Sequence, residues 1–197
     1  MDKNAPASDS TSSIELVDLS QISYTNVKDY YYRVVSYRHS KGMLSTVGAQ
    51  RTGGRFNFKP PDDLSFPTLY CSDNDITAKT EKFYGLLLKG KPLPPHTVAS
   101  VEVNLSKVVD LSTLELCQQY NIDWDLLNDE WEDFQDLHQT AAYSQQIGKL
   151  LYELGAEGIL FESTKHRNNK NLAVFKDNLL DSDEAITIYD PDGDLDS

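Results

Sequence analysis

Only two cysteines, Cys71 and Cys117, stand among the 197 residues. They form no Cys-x-x-Cys and no Cys/His cluster, so neither a structural zinc site nor a disulfide framework is expected, and a reducing cytosol fits best. No apolar run approaches the roughly 18 residues that a membrane span needs. The opening MDKNAPASDSTSS has no apolar stretch after its lysine, unlike a secretory signal. His39, His96, His138 and His166 show no metal-ligand spacing. The late DPDGDLD resembles half a calcium loop, but it lacks the terminal Glu and a flanking helix, so it reads as an acidic tail.

What is present is enough for one core. Apolar residues make up 39% and aromatics 10% of a chain of common domain size, which argues against a mostly disordered protein. The net charge is −13, unevenly placed. Seven acids and no cation lie between 123 and 136, and eight more acids follow Lys176 with no cation. Without them, 16 acids face 18 bases, so the acidity says little about the functional surface.

Two stretches have the opposite character. From 30 to 61 there are six cations and no acid: Arg33, Arg38, Lys41, Arg51, Arg55 and Lys59. From 163 to 176 there are Lys165, Arg167, Lys170 and Lys176, again with no acid. Solvated loop charge is the plain explanation. A small phosphate-bearing ligand held by a few arginines is the functional one. A long nucleic acid is disfavoured by the overall charge.

Along the chain, residues 1–13 read as a disordered leader, 14–180 as the folded domain and 181–197 as an acidic C-terminal segment. YYYRVVSYR (30–38) is aromatic and β-branched, hence a strand. Residues 39–55 carry four glycines and read as a long irregular segment. Pro60, Pro61 and Pro67 bracket a turn, and Thr68–Cys71 follows as a short strand. Residues 75–88 read as a helix, with Asp73 or Asp75 as its cap. TVASVEVNL (97–105) alternates like a half-buried strand. One or two short acidic helices are expected in 112–136. The spacing of Ile147, Leu150, Leu151 and Leu154 predicts a helix from about Thr140 to Leu154, closed by Gly155. GILFE (158–162) and NLAVFK (171–176) suggest a hairpin, and AITIY (185–189) a last strand. Without a regular βαβ rhythm, the expected class is α+β, a single domain.

Three segments stand out: YYRVVSY around Arg33; GAQRTGGRFNF through PTLYCSDNDITAKTEKF; and GILFESTKHRNNKNLAVF. In this order, over roughly residues 30–176, they resemble the RES domain, named for an Arg, a Glu and a Ser. The matching residues are Arg33, Glu81 and Ser163. The resemblance implies an ADP-ribosyltransferase-like fold, with mixed or antiparallel sheets and flanking helices. It implies cleavage of the bond between nicotinamide and ribose in NAD+, with ADP-ribose passed to water or inorganic phosphate. NAD+ is then substrate, and no metal is expected. It further implies a bacterial toxin of the cytoplasm, with export into a target cell as the alternative, and an Xre-type antitoxin or another inhibitor as partner. Protein ADP-ribosylation, or nucleotide binding without turnover, are the competing functions. PPDDLSF, between Arg55 and Tyr70, is longer than the usual link. The acidic 112–136 stretch is an enlargement that alters the expected pocket rim.

The residues carry these roles as follows. Arg33 is either a solvent-facing strand arginine or, by resemblance, a phosphate or ribose ligand whose fork suits a pyrophosphate. Gly53 and Gly54 serve a turn or let the backbone approach a ligand, with Arg55 neutralising a phosphate. Tyr70 is a core tyrosine or, by resemblance, packs against nicotinamide or its ribose. Glu81 is a solvated helical glutamate or the carboxylate that steadies an oxocarbenium-like ribose. Ser163 satisfies local backbone groups or contacts substrate. Asn171 positions a ribose or the nicotinamide amide, with Asn169 the competing choice.

Overall fold

The computed structural model describes residues 14, 17–20, 22–59, 65–190 and 192. The leader 1–13, residues 60–64 of the PPDDLSF link and residues 193–197 of the tail lie outside the described residues. The strands are β1 (Thr25–Ser36), β2 (Thr68–Ser72), β3 (His96–Leu111), β4 (Gly158–Glu162), β5 (Lys170–Phe175) and β6 (Ile186–Ile188). The helices are α1 (Val47–Thr52), α2 (Asp75–Leu87), α3 (Leu114–Gln118), α4 (Trp124–Asn128), α5 (Trp131–His138), α6 (Tyr143–Glu153) and α7 (Ser182–Ala185).

The described strands form one sheet in the order β1-β2-β5-β4-β3-β6. Because β1 also pairs with β3, the first five strands close into a ring. Only the β3–β4 pairing is parallel, so the mixed α+β architecture expected from the sequence is present. The ring depends on β3 changing partners along its length. Its first part pairs with β1 as far as Val108, and its last residues, Val108–Leu111, pair with β4. The β1–β3 register slips between Thr25 and Val27, opposite Ser106 and Lys107. A slip of this kind leaves ladder donors unpaired. The Glu157 carboxylate takes them up, accepting from Ser106 N at 2.6 Å and Lys107 N at 3.0 Å.

β1 divides its side chains between two environments, as a strand's two-residue period requires. Val27, Tyr31 and Val35 point into the ring, where they meet Val101, Val103 and Leu105 of β3 and Leu160, Leu172 and Val174 of β4 and β5. Val34 faces the other way, against Ala78 and Phe83 of α2. The outer faces of β4 and β5 pack Ile159, Phe161, Ala173 and Phe175 against Ile147 and Leu151 of α6. These two strands are therefore buried on both sides, which is why GILF and LAVF read as continuous apolar runs.

Several local expectations hold. The 158–162 and 170–175 strands are antiparallel neighbours, and Gly155 follows α6 with φ of 77°. Ala156 N reaches back to Leu151 O, a C-terminal closure that needs the left-handed glycine. Others are corrected. The 39–55 stretch is not wholly irregular: it holds a 3₁₀ turn at Tyr37–Gly42 and the α1 helix. Asn74, not Asp73 or Asp75, caps α2 by accepting from Thr77 N at 2.8 Å. The acidic stretch forms three short helices, α3 to α5.

Gly148 sits where α6 presses against the Phe56 backbone. A Cβ there would lie 2.0 Å from Phe56 O. Gly148→Ala is expected to lower the unfolding free energy by about 1–3 kcal/mol, the usual cost of overpacking, as read from urea unfolding curves.

Candidate functional site

The site forms where the ring closes. The β1–β2 ladder is short, in register at Tyr32 opposite Ser72. Arg33 lies beside this narrow seam, on the same face of β1 as Tyr31 and Val35, and so points inward rather than to solvent. Its guanidinium donates to Tyr70 O at 2.8 Å and to Ser45 O at 3.0 Å, tying β2 and the segment before α1 to β1. Its Nε is buried without a partner. Burial pulls its pKa down, but a guanidinium stays protonated at any ordinary pH.

The GGRFN motif makes a tight turn. Gly54 and Asn57 bridge each other through both backbone bonds. Gly53, with φ of 79° and ψ of 178°, takes a positive-φ extended conformation, open to glycine, that ends α1. The space over Gly54 is filled by Tyr70: a Cβ there would stand 2.7 Å from the tyrosine hydroxyl. That hydroxyl accepts from Phe56 N at 2.9 Å and donates to Asn57 Oδ1 at 2.8 Å, so it pins the turn. Gln145, fully buried on α6, clamps the same turn by donating to Gly54 O at 3.1 Å.

Arg55 is 7% exposed. It donates to Leu127 O at 2.8 Å, to Asp129 O at 3.1 Å and to Thr164 Oγ1 at 3.2 Å. The acidic stretch thus meets the site through its backbone carbonyls. Burial lowers the Arg55 pKa, and the negative charges of Glu81, Glu130 and Asp129 push it back up. Arg55 therefore lies within the field of Glu81.

Glu81 is the centre. It projects from α2 and is half-buried. Its Oε1 accepts from Ser163 Oγ and from Asn171 Nδ2, each at 2.6 Å. Ser163 is fully buried just past β4, and Asn171 is 5% exposed in β5. Asn171 is oriented in turn by Ser72 Oγ, which donates to its Oδ1 at 2.6 Å. Both bonds to the carboxylate land on one oxygen, and Oε2 takes none from the described residues. Such short bonds to a carboxylate are the stronger, charge-assisted kind. The result is a fixed negative charge with one oxygen committed, next to a buried guanidinium.

The structure therefore joins Glu81, Ser163 and Asn171 directly, and brings Arg55 to them through Thr164. Tyr70 and Gly54 form the adjoining wall, while Arg33 bonds to Tyr70 O from the inner face of the ring and makes no direct contact with Glu81, Ser163, Asn171 or Arg55 among the described residues. Asn169 bonds to Asn74 rather than to Glu81. Ser72 enters the sequence reading only within PTLYCSDNDITAKTEKF, and Thr164 only within GILFESTKHRNNKNLAVF. Asn57 was marked only as the last letter of GGRFN, and Gln145 had no signal beyond its place on α6. Among the described residues, no group of three or more His, Cys, Asp or Glu side chains is placed to hold a metal. No helix among them is long and apolar enough to cross a membrane.

These features coincide with a known family. The RES domain family model matches residues 31–196, most of the chain, and the protein belongs to that family. Among solved structures, the fold is similar to a chain in the crystal structure of the M. tuberculosis MbcT-MbcA toxin-antitoxin complex. The match has a TM-score of 0.61 and 17% identity, and it covers 85% of this chain and 84% of that one. No curated protein sequence matches.

The buried thiol at the seam gives a pH signature. Burial raises Cys71 from 9.0 to about 11, against a smaller opposing pull from Arg33. Below pH 9 the thiol is protonated in folded and unfolded chains alike, and its contribution to stability is intact. As pH rises towards 11, only the unfolded thiol ionises, and that stability is lost, by about 2–3 kcal/mol. Unfolding curves at pH 7.5 and 10.5 should show the fall, and Cys71→Ala should reduce it without abolishing it, because burial also raises Cys117, to about 12.

Proposed function

We propose that the protein cleaves the nicotinamide–ribose bond of NAD+, as a glycohydrolase or phosphorylase, and acts as a toxin by depleting NAD+. The observation that carries this reading is the Glu81 carboxylate, held through one oxygen by Ser163 and Asn171 beside Arg55.

The chemistry follows from charge. Nicotinamide leaves as a neutral ring with the electron pair of the broken bond, and positive charge spreads over the ribose C1″ and ring oxygen. A preorganised carboxylate steadies that charge as it develops. Glu81 Oε2 faces the ribose, while Oε1 stays fixed by its two donors. Water then adds to C1″ and gives ADP-ribose and a proton; inorganic phosphate gives ADP-ribose-1″-phosphate instead. Arg55 and Arg33 supply the positive field for the pyrophosphate, Tyr70 and Gly54 form the wall, and Asn171 lies within reach of the ribose hydroxyls.

The toxin reading is supported by membership of the RES family and by likeness to a chain from a toxin-antitoxin complex. An Xre-type antitoxin covering the site is the expected partner, and the cytoplasm the expected place of action.

Incubation of the purified protein with NAD+ should release free nicotinamide. Glu81→Gln should reduce the rate by roughly 10²–10⁴-fold, the range spanned by losing a positioned acid–base group or an electrostatic stabiliser, while thermal unfolding stays close to the parent. Unchanged turnover in Glu81→Gln would remove Glu81 from the mechanism. Products formed with and without inorganic phosphate separate phosphorolysis from hydrolysis, and label retained on a protein would replace both with ADP-ribosyl transfer.

A further inference from the structure

Glu81 is the last of three polar side chains on one stripe of α2. Asn74, Thr77 and Glu81 follow at spacings of three and four residues, which stacks them on one helix face. Each of the three bonds to the segment 163–171. Asn74 Nδ2 donates to Asn169 Oδ1 at 2.9 Å. Thr77 Oγ1 stands 2.8 Å from His166 Nδ1. Glu81 accepts from Ser163 and Asn171.

The middle rung is the most constrained. Thr77 is fully buried, and its hydroxyl donates to Asn74 Oδ1 at 3.0 Å. In the tautomer with the ring proton on Nδ1, His166 donates to the Thr77 oxygen while the hydroxyl proton stays with Asn74. The His166 backbone N–H donates to Ser163 Oγ at 2.9 Å. Ser163 Oγ thus accepts one hydrogen bond from the His166 backbone and donates its own to Glu81. His166 grips α2 with its ring and sets the donor of Glu81 with its backbone.

We propose that Thr77 and His166 are positioning residues: they fix the register of α2 against the 163–171 segment and so hold Glu81 at the angle and depth the sugar requires. Neither needs to touch substrate. Loosening this rung leaves Arg55 on the carbonyls of Leu127 and Asp129 and Tyr70 on the turn at 54–57, so substrate still binds while the reactive geometry is lost. The inference rests on the NAD+ reading for its kinetic readout alone.

The test uses Thr77→Val, which keeps shape and removes the hydroxyl, and His166→Ala, which removes the ring from a partly exposed loop. Both should lower kcat for nicotinamide release by roughly 10–100-fold, a modest misplacement effect, with KM within about twofold of the parent. Thr77→Ser, which restores the hydroxyl, should recover the rate. So should His166→Asn, whose amide reaches the place of Nδ1. Hydrogen–deuterium exchange of the amides in 163–171 should quicken in Thr77→Val and return to the parent rate in Thr77→Ser. Parent-like kcat in Thr77→Val, a rise in KM alone, or equal impairment in Thr77→Ser would overturn the proposal. If the parent chain releases no nicotinamide, the NAD+ reading fails, and exchange decides the rung by itself: faster exchange in Thr77→Val supports it, and unchanged exchange refutes it.

Discussion

A carboxylate taken partly out of water must be hydrogen-bonded or it costs the fold dearly. Glu81 meets that demand through two neutral donors, Ser163 and Asn171. Ser163 opens the loop joining β4 and β5, Asn171 lies just past its end in β5, and Glu81 comes from α2. The three side chains meet only if the helix, the loop and the sheet are seated together. Asn171 is aimed by Ser72, across the β2–β5 pairing that places these residues opposite each other. The arrangement of the sheet and the chemistry of the site are therefore one constraint.

The ring closure supplies the rest. β3 passes from β1 to β4, with Glu157 satisfying the amides freed at the slip. Closure is weakest at the β1–β2 seam, and Arg33 spans that seam by bonding to Tyr70 O. Arg55 does the same between the GGRFN turn and the backbone at the C-terminal end of α4. Both arginines are part of the framework as well as sources of positive field. The side-chain acids of the 123–136 stretch play a smaller part. The Lys165–Glu130 and Lys59–Asp136 pairs involve exposed carboxylates, and such pairs contribute about 0–1 kcal/mol each.

Much of this was legible in the sequence because it is local. Aromatic and β-branched content located β1, although it runs over Thr25–Ser36 rather than 30–38; apolar alternation located β3, helical spacing located α2 and α6, and Gly155 marked a helix end. The length of β3 was not legible, because Ser106 and Lys107 break the alternation at the point where the strand changes partner. Four glycines hid the 3₁₀ turn and α1 between 37 and 52. Asn74 was passed over as a cap because acids flank it. At the site, the order of short motifs picked out Glu81, Ser163 and Asn171, which the structure then joined by direct bonds. The pairing of Thr77 with His166 spans 89 residues, and no local pattern announces a contact of that kind. The use of the Tyr70 hydroxyl to pin a turn was equally hidden, since it follows from the backbone path of residues 54–57.

The proposed chemistry requires Glu81 to face the nicotinamide ribose. A crystal structure of the Glu81→Gln protein with NAD+ bound tests it most directly. The predicted result places the ribose C1″ next to the residue 81 side chain, with the pyrophosphate towards Arg33 and Arg55. A dinucleotide seated away from residue 81, or with its adenine end there instead, would contradict it.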